Sequence, residues 1–376
     1  MSGIYIHIPF CLSKCAYCGF YSMPSLKKKD AFREALGREI VSRKDYLHGE
    51  PVETVYFGGG TPSLLMVDEI GALLDLIKRH YELAPDPEIT LEANPDTLSL
   101  EYLKGLRALG VNRLSIGIQS FFDNDLKYLS RRHDSQHARQ CVKIAKDAGF
   151  ENVSLDLIYG LPTSEADQWN RNLDLFFKMN VPHLSAYALT LEPNSILTKQ
   201  IELGKALPVN EEDAIRDYEI LCRRASENGF LHYEISNFCK PLHQSKHNSS
   251  YWSHIPYAGF GPSAHSFDGV SRQWNSSSME RWLRSQKSEV GSQNVEKETL
   301  SPEQQYNEYV MLKLRTMWGI DLKYMKRELG ERFSTYCERQ AEPLIAQGRL
   351  SKTREFLYLT DNQMLFADGV AEVLFW

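Results

Sequence analysis

The chain has 376 residues, of which 42% are hydrophobic and 24% are charged, as in a soluble globular protein large enough for one large and one smaller domain. Its formal net charge of −6 gives no general attraction for nucleic acid or an anionic membrane, and no apolar run approaches the length of a membrane span. We therefore expect a cytoplasmic protein with no nucleic-acid partner and no secretory leader.

Short strands alternate with helical stretches over the first half of the chain. The predicted strands cover residues 4–8, 54–57, 89–93, 113–118, 153–158 and 183–189. The predicted helices cover residues 30–46, 67–81, 98–109, 135–148 and 165–179. This alternation predicts right-handed βαβ units around a parallel sheet, with fewer strands than the eight that close a full barrel.

Three closely spaced cysteines follow the first predicted strand. Cys11, Cys15 and Cys18 form a C-x3-C-x2-C pattern, which is compact enough to serve one inorganic centre. A zinc site normally takes four protein ligands, and no nearby cysteine pair supplies a fourth, whereas an iron–sulfur cube tolerates an open corner. The alternative is a set of buried thiols, or a disulfide with one thiol to spare. The other four cysteines are scattered, which favours free thiols in a reducing compartment.

Polar and glycine residues recur where the predicted strands end. A GGGTP turn at residues 58–62 follows the second strand, Glu92 ends the third, Gln119 follows the fourth, and Asp156 lies in the fifth. The carboxyl ends of parallel strands meet on one face, so these residues predict a single cofactor cleft. A carboxylate on an apolar strand is costly unless it is partnered, and for Glu92 a buried ion pair with an arginine is the alternative to a ligand contact. The glycines alone are also compatible with an ordinary tight turn.

The cysteine spacing, with Tyr17 as the aromatic residue before the third cysteine, resembles the cluster loop of the radical S-adenosylmethionine (SAM) enzymes. The flanking YIHIPFC and FYS resemble the HemW-type haem chaperones and the related oxygen-independent coproporphyrinogen III oxidases. This resemblance implies an α/β fold with a partial (β/α)6 barrel. It also implies a [4Fe-4S] cluster held by the three cysteines, with SAM on the remaining iron. In the family, an electron delivered to the cluster cleaves SAM to methionine and a 5′-deoxyadenosyl radical.

The same resemblance implies further contacts to SAM. The glycine-rich turn holds its amino group, and an arginine just past the fourth strand reaches over the cleft. The R-x-H pattern favours Arg131 over its neighbour Arg132 for that position. The residues that match cofactor-contacting positions of the family are Tyr5, Tyr17, Gly59, Gly60, Thr61, Glu92, Gln119, Arg131, Asp156 and Ala188.

The pattern changes after about residue 193. Residues 211–227 are predicted to be a helix, and HYEISNF follows at 232–238. Then comes HNSSYW, in which His247 is a candidate haem ligand because histidine is the usual protein ligand of haem iron. The motif resembles the H-N-x-x-Y-W sequence associated with haem binding in HemW-type proteins. The alternative is that His247 makes only local hydrogen bonds; His265 is a weaker candidate.

The last part of the chain is predicted to be a separate small domain. Residues 286–298 are polar and irregular, as in a linker, and helices are predicted at 302–318 and 343–348. A hairpin of residues 355–359 and 364–366 would complete a winged-helix-like unit. Residues 301–376 carry ten basic and eleven acidic side chains, which disfavours DNA binding. We therefore divide the chain into a barrel at 1–235, a connecting segment at 236–299 and a C-terminal domain resembling that of the oxidases at 300–376.

One position separates the two branches of the family. The oxidases carry a fourth cysteine two residues after the third, and here that position is Phe20. They also carry a long segment ahead of the cluster loop, whereas Tyr5 stands near the start of this sequence. We therefore expect a haem chaperone that delivers haem as cargo to an unidentified acceptor protein, and we doubt oxidase activity. The alternatives are an oxygen-independent coproporphyrinogen III oxidase, and a binding protein in which cluster and SAM act only as a sensor or gate.

Overall fold

The computed structural model describes residues 1–165, 167–193, 195–287 and 295–376. Its centre is a set of six parallel strands, β1 to β6, which lie side by side in chain order. They cover Ser2–Ile8, Val52–Gly59, Leu83–Ala93, Arg113–Gln119, Asn152–Tyr159 and His183–Ala188. All six predicted strands are confirmed, and the parallel order is the one that the βαβ alternation predicts.

Helices connect these strands and cover one side of the sheet. They are α1 (Lys29–Ser42), α2 (Val67–His80), α3 (Leu100–Leu109), α4 (Asp123–Tyr128), α5 (Ser135–Asp147) and α6 (Gln168–Lys178). All are confirmed predictions except the short α4, which the sequence did not reveal. The prediction for residues 165–179 includes Ala166, which lies outside the described residues. Local signals set several ends: Asp134 caps α5 by accepting from two backbone N–H groups, and Gly110 ends α3 at a φ of 99°.

The two faces of the parallel sheet differ in chemistry. In β1, the side chains of Ile4, Ile6 and Ile8 are fully buried in the core that the helices complete. Tyr5 and His7 alternate with them and so lie on the opposite face, which we call the inner face. When both faces of a parallel sheet lie in an apolar core, the sequences of its strands are continuously apolar. A polar inner face therefore indicates a ligand site.

Additional elements extend the sheet at both edges. On the β6 side, α7 (Ile196–Glu202) and α8 (Glu211–Glu227) precede a hairpin of β7 (Leu231–Glu234) and β8 (Asn237–Cys239). On the β1 side lie the remaining elements, in chain order: α9 (Lys246–Trp252), β9 (Tyr257–Phe260), β10 (His265–Phe267), β11 (Ser271–Asn275), α10 (Met279–Ser285) and β12 (Val295–Thr299). The prediction of helix 211–227 is confirmed.

The predicted linker at 286–298 is partly wrong. Residues 288–294 lie outside the described residues, but Val295–Thr299 forms β12, which pairs antiparallel with β11. Its side chains are mostly exposed, because β12 is an edge strand, and charges on such a strand discourage pairing with other chains. The charged composition that suggested a linker therefore belongs to a protected sheet edge.

The C-terminal part has its own hydrophobic core. Its helices are α11 (Pro302–Leu314), α12 (Leu322–Tyr324), α13 (Glu331–Ala346) and α14 (Ala367–Leu374), with a short π-helix at Met325–Leu329. A small antiparallel sheet contains β13 (Ile320–Asp321), β14 (Ser351–Lys352) and β15 (Phe356–Tyr358). The predicted strand at 364–366 is wrong, since Asp361–Phe366 is a 3-10 helix that starts at a capping box on Thr360. Within the described residues, no helix is both long and apolar enough to cross a membrane.

Candidate functional site

The inner face carries a band of polar side chains across the parallel strands. The Ser115 hydroxyl donates to the carboxylate of Asp156 at 3.1 Å, and the Ser154 hydroxyl hydrogen-bonds to His183 Nδ1 at 2.7 Å. These side chains recur at every second residue of β4, β5 and β6, so the pleat places them on the same side. The carboxyl end of this band meets the cysteine loop.

The cysteine loop leaves β1 and is tied to the scaffold at several points. The N–H of Cys11 donates to the carbonyl of Met23 at 3.1 Å, and the N–H of Met23 donates to the carbonyl of Pro9 at 2.7 Å. Further along, the N–H of Ala16 donates to the carbonyl of Leu129 at 3.2 Å. All three cysteines of the loop are half-buried free thiols, so their sulfurs remain reachable.

Two polar side chains contact sulfurs of the loop. Arg131 Nη1 lies 3.2 Å from Cys15 Sγ, and the Thr61 hydroxyl lies 3.5 Å from Cys11 Sγ. Burial raises the pKa of the Cys11 thiol, whereas Thr61 and Arg131 oppose that increase. A cation and a hydroxyl donor favour the thiolate, which is the form that binds iron. This donor set therefore fits an iron–sulfur cluster.

In the part of the chain that the structure describes, no group of three or more His, Cys, Asp or Glu side chains is placed to hold one metal ion. In a cube, each thiolate binds a different iron, so three sulfurs need not converge on a single point. With three thiolates, one iron of the cube keeps a position for a ligand that the protein does not supply. The loop, with three free thiols, offers that number of ligands.

The glycine-rich turn after β2 runs directly beside the start of the cysteine loop. The N–H of Gly60 donates to the carbonyl of Ile8 at 2.8 Å, and a Cβ on Gly60 would lie 2.7 Å from the carbonyl oxygen of Phe10. Gly59 has a φ of 110°, which favours glycine, and its N–H donates to Glu92 Oε2 at 3.1 Å. Gly60 needs to be glycine because its backbone lies against that of residues 8–10, and both N–H groups donate within the protein at the edge of the cleft.

Glu92 lies on the inner face near the end of β3. Its Oε1 accepts from the hydroxyl of Tyr56 at 2.9 Å, and its Oε2 accepts from Gly59, so its hydrogen-bond partners are neutral groups rather than an arginine. Burial, with a contribution from nearby Asp156, raises the pKa of Glu92 to about 7 against the opposing effects of those hydrogen bonds and of Arg113. Ionising this carboxylate is costly. A ligand whose hydroxyl groups donate hydrogen bonds to it would reduce that cost.

Gln119 and Asp156 lie on β4 and β5, the next two strands after that of Glu92. Asp156 accepts from Ser115 and Ser185, and burial raises its pKa as well. Gln119 has a φ of 68°, and the pairing of β4 with β5 shifts register between Gly117 and Gln119. A bulge of this kind turns the last residue of a strand, and here it lies at the carboxyl end where the sequence predicts a ligand contact.

Arg131 contacts the cysteine loop, whereas Arg132 forms a more exposed ion pair beside it. Besides its contact to Cys15, Arg131 donates through Nη2 to Asn94 Oδ1 at 2.6 Å and to the carbonyl of Gly117 at 2.7 Å. Its Nε is buried and has no hydrogen-bond partner among the described residues. Arg132 instead pairs with Asp96 at 3.2 Å, with 53% of its side chain exposed.

The remaining predicted contacts lie around the same opening. The Tyr5 hydroxyl hydrogen-bonds to His7 Nδ1 at 3.1 Å. Tyr17 follows the buried Ala16 in the cysteine loop, and burial raises its pKa although the nearby Arg131 opposes this. Ala188 ends β6 and pairs in register with the last residue of β5. The structure thus gathers the predicted residues of β2 to β5 toward the carboxyl end of the sheet, whereas the Tyr5 ring lies 6.4 Å from that of His247 and Ala188 packs against the helix-side core.

His247 lies nearer the amino end of the same strands, where its ring stacks on those of Tyr5 and Tyr56. Its Nδ1 hydrogen-bonds to the hydroxyl of Thr54 at 2.7 Å and its Nε2 to the hydroxyl of Tyr251 at 2.8 Å, and the side chain is buried. Burial and the positive charge of Arg113 lower its pKa to about 3. In this arrangement neither ring nitrogen is open to an iron. His265 is exposed and stacks on Trp274 with ring centroids 5.9 Å apart.

Arg113 was missed from the sequence. It is 1% exposed on the inner face of β4, and its Nε has no hydrogen-bond partner among the described residues. Its charge lowers the pKa of both Glu92 and Asp156. The signal was present, because Arg113 and Ser115 alternate with Leu114 and Ile116 in RLSIGIQ, and this alternation places the arginine on the inner face.

Comparisons with known proteins agree with this geometry. A model of the radical SAM superfamily matches residues 5–176, and a model of the HemN C-terminal domain matches residues 300–366. The chain is 35% identical over 380 residues to the haem chaperone HemW of Mycobacterium tuberculosis, covering 99% of this chain and 94% of that protein. It is 33% identical over 374 residues to the haem chaperone HemW of Bacillus subtilis, covering 98% of each.

A solved structure shows the same fold. Coproporphyrinogen III oxidase (HemN) from Escherichia coli, described as a radical SAM enzyme, superposes with a TM-score of 0.85 at 22% sequence identity. The match covers 99% of this chain and 89% of that protein. At this level of identity the likeness establishes the fold and leaves the reaction to be argued from the residues.

Proposed function

The chain belongs to the HemW family of the radical SAM superfamily, and from this premise we propose that it is a haem chaperone that holds a [4Fe-4S] cluster with SAM and passes haem to an acceptor protein. The observation that carries the proposal is the meeting of the cysteine loop, the glycine turn and the Glu92 carboxylate at one end of six parallel strands. The division into barrel, connecting segment and C-terminal domain at residues 1–235, 236–299 and 300–376 is part of the proposal.

Cys11, Cys15 and Cys18 would hold three irons of the cluster, and Arg131 would stabilise the negative charge at Cys15. Its guanidinium contact at 3.2 Å supports this role, since hydrogen bonds to cluster sulfurs tune such centres. Thr61, which contacts Cys11, would link the cluster to the nucleotide side of the cleft.

SAM would occupy the cleft above the inner face. The backbone of Gly59 and Gly60 would bind its amino acid part, and the carboxylates of Glu92 and Asp156 would accept hydrogen bonds from it; the other contacts are those predicted for Tyr5, Tyr17, Gln119, Arg131 and Ala188. With both groups bound, the cluster and SAM supply one-electron chemistry, for which an electron donor is needed. The protein residues position SAM and exclude water from it.

Haem is proposed as the cargo, on the names of the curated relatives and on the HNSSYW motif. His247 remains the candidate ligand for a state in which α9 has left its place, because in the described state both ring nitrogens are engaged. The free thiols of all seven cysteines support the expected cytoplasmic location, where disulfides are rare.

The second candidate is oxygen-independent coproporphyrinogen III oxidase activity, which the structural likeness to the Escherichia coli enzyme favours. Phe20 weighs against it, since it stands where those oxidases carry a fourth cysteine and is 70% exposed. The chaperone is therefore the better supported of the two functions.

The test is a haem titration of the anaerobically reconstituted protein, followed by absorbance. We expect saturable binding at one haem per chain, and transfer of that haem to an apoprotein acceptor such as an apocytochrome. Incubation with coproporphyrinogen III, SAM and a reductant provides the opposing measurement. Formation of the decarboxylated product, or haem binding that never saturates, would overturn the proposal.

His247→Ala and His254→Ala form a matched pair for the ligand question. His247 is buried within α9 and His254 is half-buried just after it, and burial lowers the pKa of each. If His247 binds the iron, only His247→Ala changes the absorbance spectrum of the bound haem. Identical spectra for the two variants would place the ligand on another residue while leaving the chaperone proposal intact.

A further inference from the structure

We propose that His247 is a positioning residue for the SAM cleft, acting from the opposite end of the barrel by holding Tyr56 against Glu92. The HNSSYW helix α9 would then close the amino end of the inner face. The inference rests on the proposed function only in taking Glu92 as part of the SAM site.

Helix α9 is anchored at the amino end of the parallel strands. The backbone N–H groups of Lys246 and His247 donate to the carboxylate of Glu88 at 3.1 Å and 3.0 Å. Glu88 lies in β3 opposite Thr54 of β2, and its side chain is buried. A buried carboxylate that accepts two N–H groups at the start of a helix fixes the helix in place. The cysteine loop, in contrast, leaves the carboxyl end of β1.

The ring of His247 is held in one orientation. The hydroxyls of Thr54 and Tyr251 hydrogen-bond to its two nitrogens. The backbone of Gly3 also lies close, since a Cβ added there would come within 3.5 Å of the ring. Because a neutral imidazole has one donor and one acceptor nitrogen, the two hydroxyls satisfy both. The ring therefore has little freedom to rotate or withdraw without leaving buried polar atoms unpaired.

That ring in turn supports Tyr56. The two ring centroids are 4.9 Å apart at an interplanar angle of 22°, and Tyr5 stacks nearby on Tyr56 at 6.1 Å. A Cβ on Gly58 would lie 2.9 Å from ring atoms of both tyrosines, so the packing around Tyr56 is close. Stacked rings at these distances fix the plane of the phenol.

The fixed phenol directs its hydroxyl to Glu92. Tyr56 donates to Oε1 of Glu92 at 2.9 Å, and Gly59 of the glycine turn donates to the other oxygen. His247 thus reaches Glu92 through one intermediate side chain, and its ring also stacks on that of Tyr5 with centroids 6.4 Å apart. Displacing α9, for example to expose His247 to a ligand, would remove one side of the support for Tyr56.

The experiment compares His247→Gln, Tyr56→Phe and their combination by two measurements on the full chain. The first is the SAM dissociation constant of the cluster-reconstituted protein. We expect His247→Gln to raise it about tenfold, and to change it less than about twofold when Tyr56 is already Phe, because residues acting through one contact are not additive. The second is the melting temperature without SAM, where the two losses should also be less than additive.

His254→Gln is the control. It removes a half-buried histidine of the same segment that packs against Phe267 and Tyr309 instead of Tyr56. We expect it to lower the melting temperature without changing SAM affinity. Should His247→Gln fail to fold, Thr54→Val removes the hydroxyl that holds the ring, and it should weaken SAM binding in the same Tyr56-dependent way.

A His247→Gln variant with unchanged SAM affinity would overturn the inference, as would a full tenfold effect in the Tyr56→Phe background. If the unsubstituted protein fails to bind SAM, the proposed function falls instead. The melting temperatures measured without SAM then decide the inference, since additive losses would show that His247 and Tyr56 act independently.

Discussion

Replacing Glu92 with glutamine should stabilise the protein at alkaline pH while weakening SAM binding. Burial raises the pKa of Glu92 from 4.5 to about 7, so the folded state favours the protonated form. The stability that this form provides is lost as the pH rises from about 4.5 through 7. The difference corresponds to roughly 3 kcal/mol at 1.36 kcal/mol per pKa unit.

Glutamine carries no charge but loses one of the two hydrogen bonds, at a cost of about 1 kcal/mol. We therefore expect the Glu92→Gln variant to be about 2 kcal/mol more stable than the parent near pH 8 and about equal to it near pH 5. Urea unfolding of the cluster-free chain at both pH values, followed by tryptophan fluorescence, measures the difference. A variant less stable than the parent near pH 8 would refute the reasoning, because it would mean that the charged carboxylate is well compensated.

Glu234→Gln is the matched control for this prediction. Burial also raises the pKa of Glu234 to about 7, but this residue lies on β7, away from the cysteine loop. Both variants should gain stability near pH 8, and only Glu92→Gln should bind SAM more weakly. Such a trade of stability for function is expected of a buried charge that serves a ligand.

Two further predictions concern the arginines of the cleft. Arg131→Gln removes a charged hydrogen-bond donor to Cys15 that is worth about 1.5 kcal/mol. The reduction potential of the cluster, measured by anaerobic redox titration, should therefore fall by roughly 60 mV. Arg132→Gln, the control, should leave the potential unchanged. Arg113→Met removes the buried charge that lowers the pKa of Glu92 and Asp156, so the variant should lose more stability near pH 8 than near pH 5 in urea unfolding. An equal loss at both pH values would contradict that charge-compensating role.

The sequence predicts the six parallel strands well. Side-chain alternation marks each strand locally, and the helices between the strands indicate that the strands run parallel. In GIYIHI the isoleucines define the core side and Tyr5 with His7 the inner side, and the structure follows this pattern. The strand ends then identify the carboxyl end of the sheet as the cleft. What alternation cannot give is which inner residue meets which, and this is why Tyr56 was not connected to Glu92. Arg113 was overlooked although alternation places it on the inner face.

The position of His247 was beyond the sequence for a different reason. HNSSYW contains hydrogen-bonding and aromatic residues that suit either a ligand or a packed interior. Only tertiary contacts with Thr54 and Glu88, nearly two hundred and about 160 residues away, place it against the amino end of the inner face; long-range pairing of this kind leaves no periodic signal. The edge strand β12 was missed because its charged residues resemble a linker in composition.

The central claim is that three thiols of one loop hold a cluster whose remaining iron accepts SAM. The most direct measurement is the electron paramagnetic resonance spectrum of the reduced, anaerobically reconstituted protein before and after addition of SAM. We predict a cubane signal that SAM alters, that is lost in Cys15→Ser and that is retained in Cys141→Ser, whose thiol is buried in the core. A signal that SAM leaves unchanged, or one that survives Cys15→Ser intact, would contradict the account.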